Sequence, residues 1–312
     1  LLTYHHIAAD AWSKAVLLRD LGACYEAFGR GEPPRLPELA VQYADFAGWQ
    51  RQLLRPDGEL YRAQLGYWRR QLAGNPVAIE CPFGNSRVPA VPNCRDSEVR
   101  FRISGEVSQR LQTLGRREGA TFFMTRLAAF AALLGRATGK DDFVLATYGT
   151  NRSRPELQRV FGFFSNLLML RLDLTGDPTF PELLARVRAT TVDAAAHGDL
   201  PFEVLCEELR REGSAPPDVK VIFQIERGDA SFRFGDVEVR VLERTPPGMP
   251  WRLQVGVDER EDQTAGRVLL DTNLYDPAGV SRLMAGYGSL LAAVAERPDL
   301  RVADLPVPSL GE

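Results

Sequence analysis

Leu1-Leu2-Thr3-Tyr4-His5-His6-Ile7-Ala8-Ala9-Asp10-Ala11-Trp12-Ser13 carries two of the three histidines in a chain of 312 residues. Leu1 to Tyr4 reads as the middle of a strand. After Asp10 the apolar positions Leu17, Leu21, Cys24, Tyr25 and Phe28 follow a helical stripe, which Gly29 to Pro34 stops. His5 and His6 therefore fall at a strand-to-helix junction, where the backbone can aim a side chain into a cleft. An imidazole can accept or share a proton near pH 7, so the pair is a candidate for acid–base chemistry. Asp10 suits a plain helix N-cap equally well, and on these residues alone both readings stay open.

Outward from this stretch, helices are expected from Val41 to Leu54 and from Tyr61 to Leu72. Residues 76–95, rich in Pro, Gly and Asn, read as a linker between 1–75 and 96–312. Beyond it, Glu98 to Ile103 and Phe143 to Tyr148 read as strands. Ser104 and Thr121 cap two helices, the second so apolar from Phe122 to Leu134 that it should be buried on most sides. Proline-led helices follow at Pro181 to Ala195 and Pro201 to Arg211, with Asp199 available to cap the latter. Val219 to Ile225, Phe232 to Leu242, Leu253 to Val257 and Val268 to Leu274 are strand-like, and Pro277 to Ala295 reads as a closing helix. Val237, Val239 and Val241 would share one face. The mixture predicts an α/β fold with α+β layers.

Composition narrows the function. At this length a single core is unusual, so two packed lobes are expected. Net charge is −3 and the basic residues are scattered, which argues against nucleic acid as a partner. No apolar window reads as a bilayer span, so no membrane is expected. Cys24, Cys81, Cys94 and Cys206 are far apart, with no CxxC pair and no histidine at ligand spacing. Neither a metal site nor a disulfide framework is expected. Buried, inert thiols in a reducing cytosol, hence a cytoplasmic protein, fit better.

Several further runs carry a resemblance. His5 to Ser13 resembles the HHxxxDG signature. Val41-Gln42-Tyr43-Ala44-Asp45-Phe46-Ala47-Gly48-Trp49-Gln50 and Tyr67-Trp68-Arg69-Arg70-Gln71-Leu72 resemble the two segments that follow it. Asn151-Arg152-Ser153-Arg154-Pro155-Glu156-Leu157, then Phe161-Gly162-Phe163-Phe164-Ser165-Asn166, is similar to NRxRPEL…GFFVNT. His197-Gly198-Asp199-Leu200-Pro201-Phe202-Glu203 is similar to HQDxPFE. Val221 to Gln224 and Asn273 to Asp276 fall in place behind them. In this order and over the whole chain, the runs resemble the condensation domain of nonribosomal peptide synthetases, in the HHxxxDG acyltransferase superfamily.

The resemblance implies a chloramphenicol-acetyltransferase-like fold of two lobes in a V, with the histidine at a tunnel between them. Donor and acceptor carrier proteins would bring phosphopantetheine arms to that tunnel, beside adjacent synthetase domains; no cofactor is bound intrinsically. His6 would be the catalytic residue and His5 would support the loop. Asp10 would be structural, paired with Arg152, with Arg154 in reserve. Asn166 is a supporting residue of the same motif. His197, Trp12, Trp49 and Trp68 are read as structural.

Two departures stand out. Ala11 replaces the family's glycine, which matters if the position needs positive φ and not if it lies in the first helical turn. The sequence also opens at the motif, so the N-lobe is expected to be incomplete. The stripe of the first helix would then lack cover. Against amide-forming condensation stand two alternatives: a noncatalytic platform that docks carrier proteins or recruits tailoring enzymes, and an epimerisation domain. Heterocyclisation is disfavoured because it replaces the histidines with aspartates.

Overall fold

The computed structural model describes residues 3–84, 96–226, 232–239, 252–259 and 264–307. Helices α1 (Ala11–Gly29), α2 (Tyr43–Leu53) and α3 (Glu59–Gln71) come first, then the two-residue strand β1 (Val77–Ala78). β2 (Asp96–Ile103), α4 (Gly105–Arg117), α5 (Phe122–Thr138), β3 (Asp142–Gly149) and β4 (Asn166–Asp173) follow. α6 (Phe180–Ala196), α7 (Phe202–Arg211), β5 (Val221–Ile225), β6 (Phe232–Phe234) and β7 (Val237–Val239) come next. β8 (Leu253–Glu259), β9 (Thr264–Asp271) and α8 (Pro277–Glu296) close the chain.

One mixed seven-stranded sheet organises the molecule. β3 pairs antiparallel with β4 along its length, from Asp142↔Asp173 to Gly149↔Asn166. It also pairs in parallel with β1 at Phe143 and Val144 and with β5 at Ala146↔Ile222. β5 runs parallel to β8, and β8–β9–β2 continue antiparallel. β6 and β7 form a separate hairpin.

α5 lies at the centre. Thr121 Oγ1 accepts the Met124 N–H at its start, and Gly139, at φ 67°, ends it in the left-handed conformation that glycine adopts without a Cβ penalty. Leu127 to Leu133 are all fully buried, as their unbroken apolarity predicts. Phe130 stacks on Phe223 of β5 at 5.1 Å and meets Tyr287 of α8 edge-on at 5.8 Å. Tyr287 satisfies its hydroxyl by donating to the Arg126 carbonyl at 2.9 Å.

Several expectations are corrected. Thr3 to His5 have no regular structure, and Leu1 and Leu2 lie outside the described residues. β4 is a strand that its own sequence does not announce: Leu167, Leu168, Met169, Leu170 and Leu172 include no β-branched residue, and pairing to β3 overrides their helical preference. The expected strand Phe232 to Leu242 is broken by a turn at Gly235, φ 58°; Val241 lies outside the described residues. Of the stretch expected to be linker, Val77–Ala78 belongs to the sheet, and Ile79 and Cys81 are buried. Residues 85–95 are outside the described set. Asp199 does not cap α7; its carboxylate accepts from Gln64 Nε2 at 3.0 Å.

α8 also corrects the reading of apolar windows. By length and composition it could cross a bilayer. A core helix passes the same test, and here Val280, Leu283, Tyr287, Leu290, Leu291 and Val294 are buried against α4, α5 and β2. On α1 the packed face carries small residues, Ser13, Val16, Gly22 and Ala27, with Phe234 of β6 against Gly22. Leu21, Tyr25 and Phe28 of the predicted stripe stand 45%, 51% and 67% exposed. Cys81 and Cys206 are buried thiols, and burial pushes Cys81 up to about 11; Cys94 lies outside the described residues.

Candidate active site

A short 3-10 turn, His6 to Ala8, takes the place of the expected strand end. His5 Nδ1 caps it by accepting the Ile7 N–H at 3.1 Å. His6 Nδ1 lies 2.8 Å from the Ala9 carbonyl oxygen. A carbonyl can only accept, so His6 carries its proton on Nδ1 and, when neutral, leaves a lone pair on Nε2. His5 is the opposite tautomer, with Nδ1 as acceptor. The two adjacent imidazoles are therefore chemically distinct, and His6 is the one whose Nε2 can take a proton. His6 is exposed, and its ring meets Phe163 edge-to-face at 5.4 Å. One cavity among the described residues is lined by Phe46, Trp49 and Arg154 and another by Leu111, Thr121 and Arg126; neither includes His5 or His6.

Below the turn lies a buried polar core. Asp10 is the N-cap of α1, its Oδ1 accepting the Ser13 N–H at 2.8 Å. The same oxygen is 3.1 Å from Arg152 Nη2, in an ion pair whose side chains are each 1% exposed. Asp10 Oδ2 accepts the Phe164 N–H at 3.0 Å and the Ser165 hydroxyl at 3.4 Å. Arg152 Nη1 donates to the carbonyls of Leu157 and Val160, at 2.6 and 2.7 Å. Nη2 also reaches Ser13 Oγ at 2.9 Å and the Gly162 carbonyl at 3.2 Å. The guanidinium lies over the Phe164 ring at 4.0 Å. Burial pulls the guanidinium below its ordinary value and Asp10 pushes it back up. A buried carboxylate held this way needs its cation, because either charge alone would be stranded in an apolar setting.

Two residues of this core escape the sequence reading. Ser13 Oγ donates to the Gly162 carbonyl at 2.6 Å and accepts the Gly162 N–H at 3.0 Å, closing a ring between α1 and the loop before β4. Gly162 is there because a Cβ would sit 2.2 Å from Tyr43 Cδ2 and 2.9 Å from the Phe164 ring. Their only signal in the sequence is position, Ser13 at the end of the histidine run and Gly162 inside Phe161 to Asn166. Phe46, Leu157, Val160 and Phe164 form a small apolar cluster beside the ion pair, with Val41, Tyr43 and Trp49 packed on it.

The remaining expected residues fall elsewhere. Ala11 is the first residue of α1, exposed, and not at positive φ, so the second of its two readings holds. Arg154 does not join the ion pair; it lies over Trp49 at 4.7 Å. Asn166 is not hydrogen bonded to either histidine or to Asp10. Its Nδ2 donates to the carbonyls of Gly198 and Leu200, at 2.8 and 2.7 Å, and its Oδ1 accepts the Phe202 N–H at 3.0 Å. It thus supplies from β4 the cap that Asp199 was expected to supply. His197 ends α6, stacks on Tyr67 at 4.0 Å, and gives its carbonyl to Trp68 Nε1 at 2.9 Å. Trp12 donates to the Gln158 carbonyl at 2.8 Å. No cluster of three or more metal-ligating side chains occurs among the described residues.

The mixed α/β architecture is a chloramphenicol-acetyltransferase-like fold, and within it the histidine turn sits against the buried Asp10–Arg152 pair. The family model for the Condensation domain matches residues 1–312, and the chain belongs to that family. It is 39% identical to a component of the linear gramicidin synthase of Brevibacillus parabrevis, over 99% of this chain and 6% of that protein. It is 40% identical to phosphinothricin tripeptide synthetase PhsC of Streptomyces viridochromogenes, over 98% of this chain and 28% of that protein. The chain therefore spans a small part of these relatives. Among solved structures it is similar to the X-domain in its complex with OxyB from teicoplanin biosynthesis. That match has a TM-score of 0.82 and 32% identity, covering 96% of this chain and 68% of that one. The first condensation domain of the calcium-dependent antibiotic synthetase shares the fold, at a TM-score of 0.78 and 21% identity.

Proposed function

We propose that this chain forms amide bonds between two carrier-bound groups, and that His6 serves the reacting nitrogen. The amine of an acceptor aminoacyl thioester attacks the carbonyl carbon of a donor acyl or peptidyl thioester. A C–N bond forms, the C–S bond breaks, the donor arm leaves as a thiol, and the nitrogen gives up a proton. The observation that carries this reading is the 2.8 Å contact between His6 Nδ1 and the Ala9 carbonyl oxygen. With Nδ1–H committed to the Ala9 carbonyl, Nε2 is the nitrogen left to accept that proton or to bond the charge of the tetrahedral intermediate. An α-amine has an ordinary pKa of about 7.7–8.0, so positioning carries much of the rate and the histidine adds to it.

On this reading the partners are donor and acceptor peptidyl carrier proteins, within a synthetase whose neighbouring domains supply them. The relatives named above are peptide synthases and synthetases. The phosphopantetheine arms belong to those carriers and arrive as part of the substrates. A cytoplasmic setting, where such carriers are loaded, goes with it. Residues 1–75 and 96–312 would contribute to the two lobes between which the arms meet.

A second reading, the noncatalytic platform, is favoured by one observation: a 32% identical neighbour is an X-domain in complex with OxyB. One assay separates the two. Matched donor and acceptor carriers are loaded and mixed with the full-length protein, and products are read by mass. Amide from the wild type but not from His6→Ala supports catalysis. Carrier binding with no amide from the wild type supports the platform.

A further inference from the structure

Among the described residues the exposed His6 ring has two anchors, and one of them lies outside its own turn. Nδ1 is tied to the Ala9 carbonyl. The other anchor is Phe163, edge-to-face at 5.4 Å with an interplanar angle of 79°. That hydrogen bond holds the Nδ1 edge of the ring, and water competes for it at an exposed position. A second contact on the ring body is what fixes the direction of the opposite nitrogen.

Phe163 is an unusual residue to find there. It is 36% exposed, so its side chain contributes little to the core, and its neighbour Phe164 is the buried member of the pair. Its backbone, in contrast, is held at three neighbouring groups. The Gly162 carbonyl before it accepts from Ser13 Oγ and Arg152 Nη2. Its own carbonyl accepts the Tyr43 hydroxyl at 2.8 Å. The Phe164 N–H after it is bound to Asp10 Oδ2. An exposed ring on a backbone pinned by the buried ion pair can transmit the order of that pair to the histidine above it.

We propose that Phe163 is a positioning residue for His6, the mechanical link between the Asp10–Arg152 core and the imidazole. Asp10 and Arg152 then act on His6 through this side chain as well as through the α1 cap. The proposal deepens the amide-forming reading, and its rate consequence rests on that reading; its structural consequence does not.

The test measures both in the full-length protein. Diethyl pyrocarbonate modifies an unprotonated imidazole nitrogen, and peptide mapping by mass separates His5 from His6. With Phe163→Ala, His6 modification should rise about threefold or more while His5 is unchanged, because only the His6 ring loses cover and restraint. The kcat for amide formation should fall about tenfold with KM for the loaded acceptor carrier little altered. Phe163→Tyr, which keeps the ring, should restore both values. Phe163→Leu fills the volume without an aromatic edge and should stay close to Phe163→Ala. Equal rises at His5 and His6 would mean general loosening and would overturn the proposal, as would an unchanged His6 rate. If the wild type makes no amide, the modification arm still decides the positioning claim, and only the amide-forming reading is lost.

Discussion

Replacing Asp10 with asparagine keeps its shape and removes the charge that neutralises Arg152. The guanidinium would be left buried against Phe164 with uncharged partners alone, the backbone carbonyls and the Ser13 hydroxyl. D10N should destabilise the protein by about 3–5 kcal/mol, read by urea denaturation, with Arg152→Lys nearly as costly because lysine cannot reproduce the fork. A loss below about 1 kcal/mol would show that the pair is not the structural centre described. Gly162→Ala should cost about 1–3 kcal/mol through the clash with Tyr43. At this scale the pairing of Asp10 with Arg152 is legible from motif order. The hydrogen-bond ring of Ser13 and the seat of Phe163 are not, since both depend on a loop far along the chain folding back onto α1. The His6 tautomer is equally illegible, because it is set by a backbone carbonyl of the same turn.

Among the elements, β4 and the start of α7 depend on one side chain. Asn166→Ala removes two donated hydrogen bonds and the acceptor that caps α7, and should cost about 2 kcal/mol while raising proteolysis at 198–202. Unchanged proteolysis there would contradict the tie. β3 and β4 are joined by Asp142 and Arg171, with Arg171 Nη2 2.6 Å from Asp142 Oδ2. The hydrogen bond from Arg171 lowers the Asp142 carboxyl below its ordinary value. A depressed folded-state pKa adds stability above the unfolded value, about 3.9, and loses it as pH falls through the folded value. Asp142→Asn should therefore be destabilising by about 0.5–1 kcal/mol at neutral pH, with the difference from wild type vanishing in acid. A difference that persisted at low pH would point to packing. Helices are legible here because capping residues and periodicity agree, as at Ser104 and Thr121. β4 is hidden by leucines whose partner strand lies upstream across a long loop, and β1 by a proline-rich setting.

For the molecule as a whole, α3 and the sheet share one core: Tyr61, Leu65 and Trp68 belong to the same buried cluster as Phe130, Phe223 and Leu290. Trp68→Leu should lose about 3 kcal/mol, and fluorescence and circular dichroism should report the same urea midpoint. Two separate midpoints would mean that α3 unfolds apart from the sheet. The α/β class is readable from the mixture of periods, whereas the sheet order is not, since it joins β3 to β1, β4 and β5 across long stretches of chain. The central claim is that two neighbouring histidines of opposite tautomer have different jobs. Single-turnover amide formation with loaded carriers tests it most directly. His6→Ala should slow the step by about 10²-fold or more and His5→Ala by only a fewfold. Wild-type rates from His6→Ala, or equal losses from both variants, would contradict it.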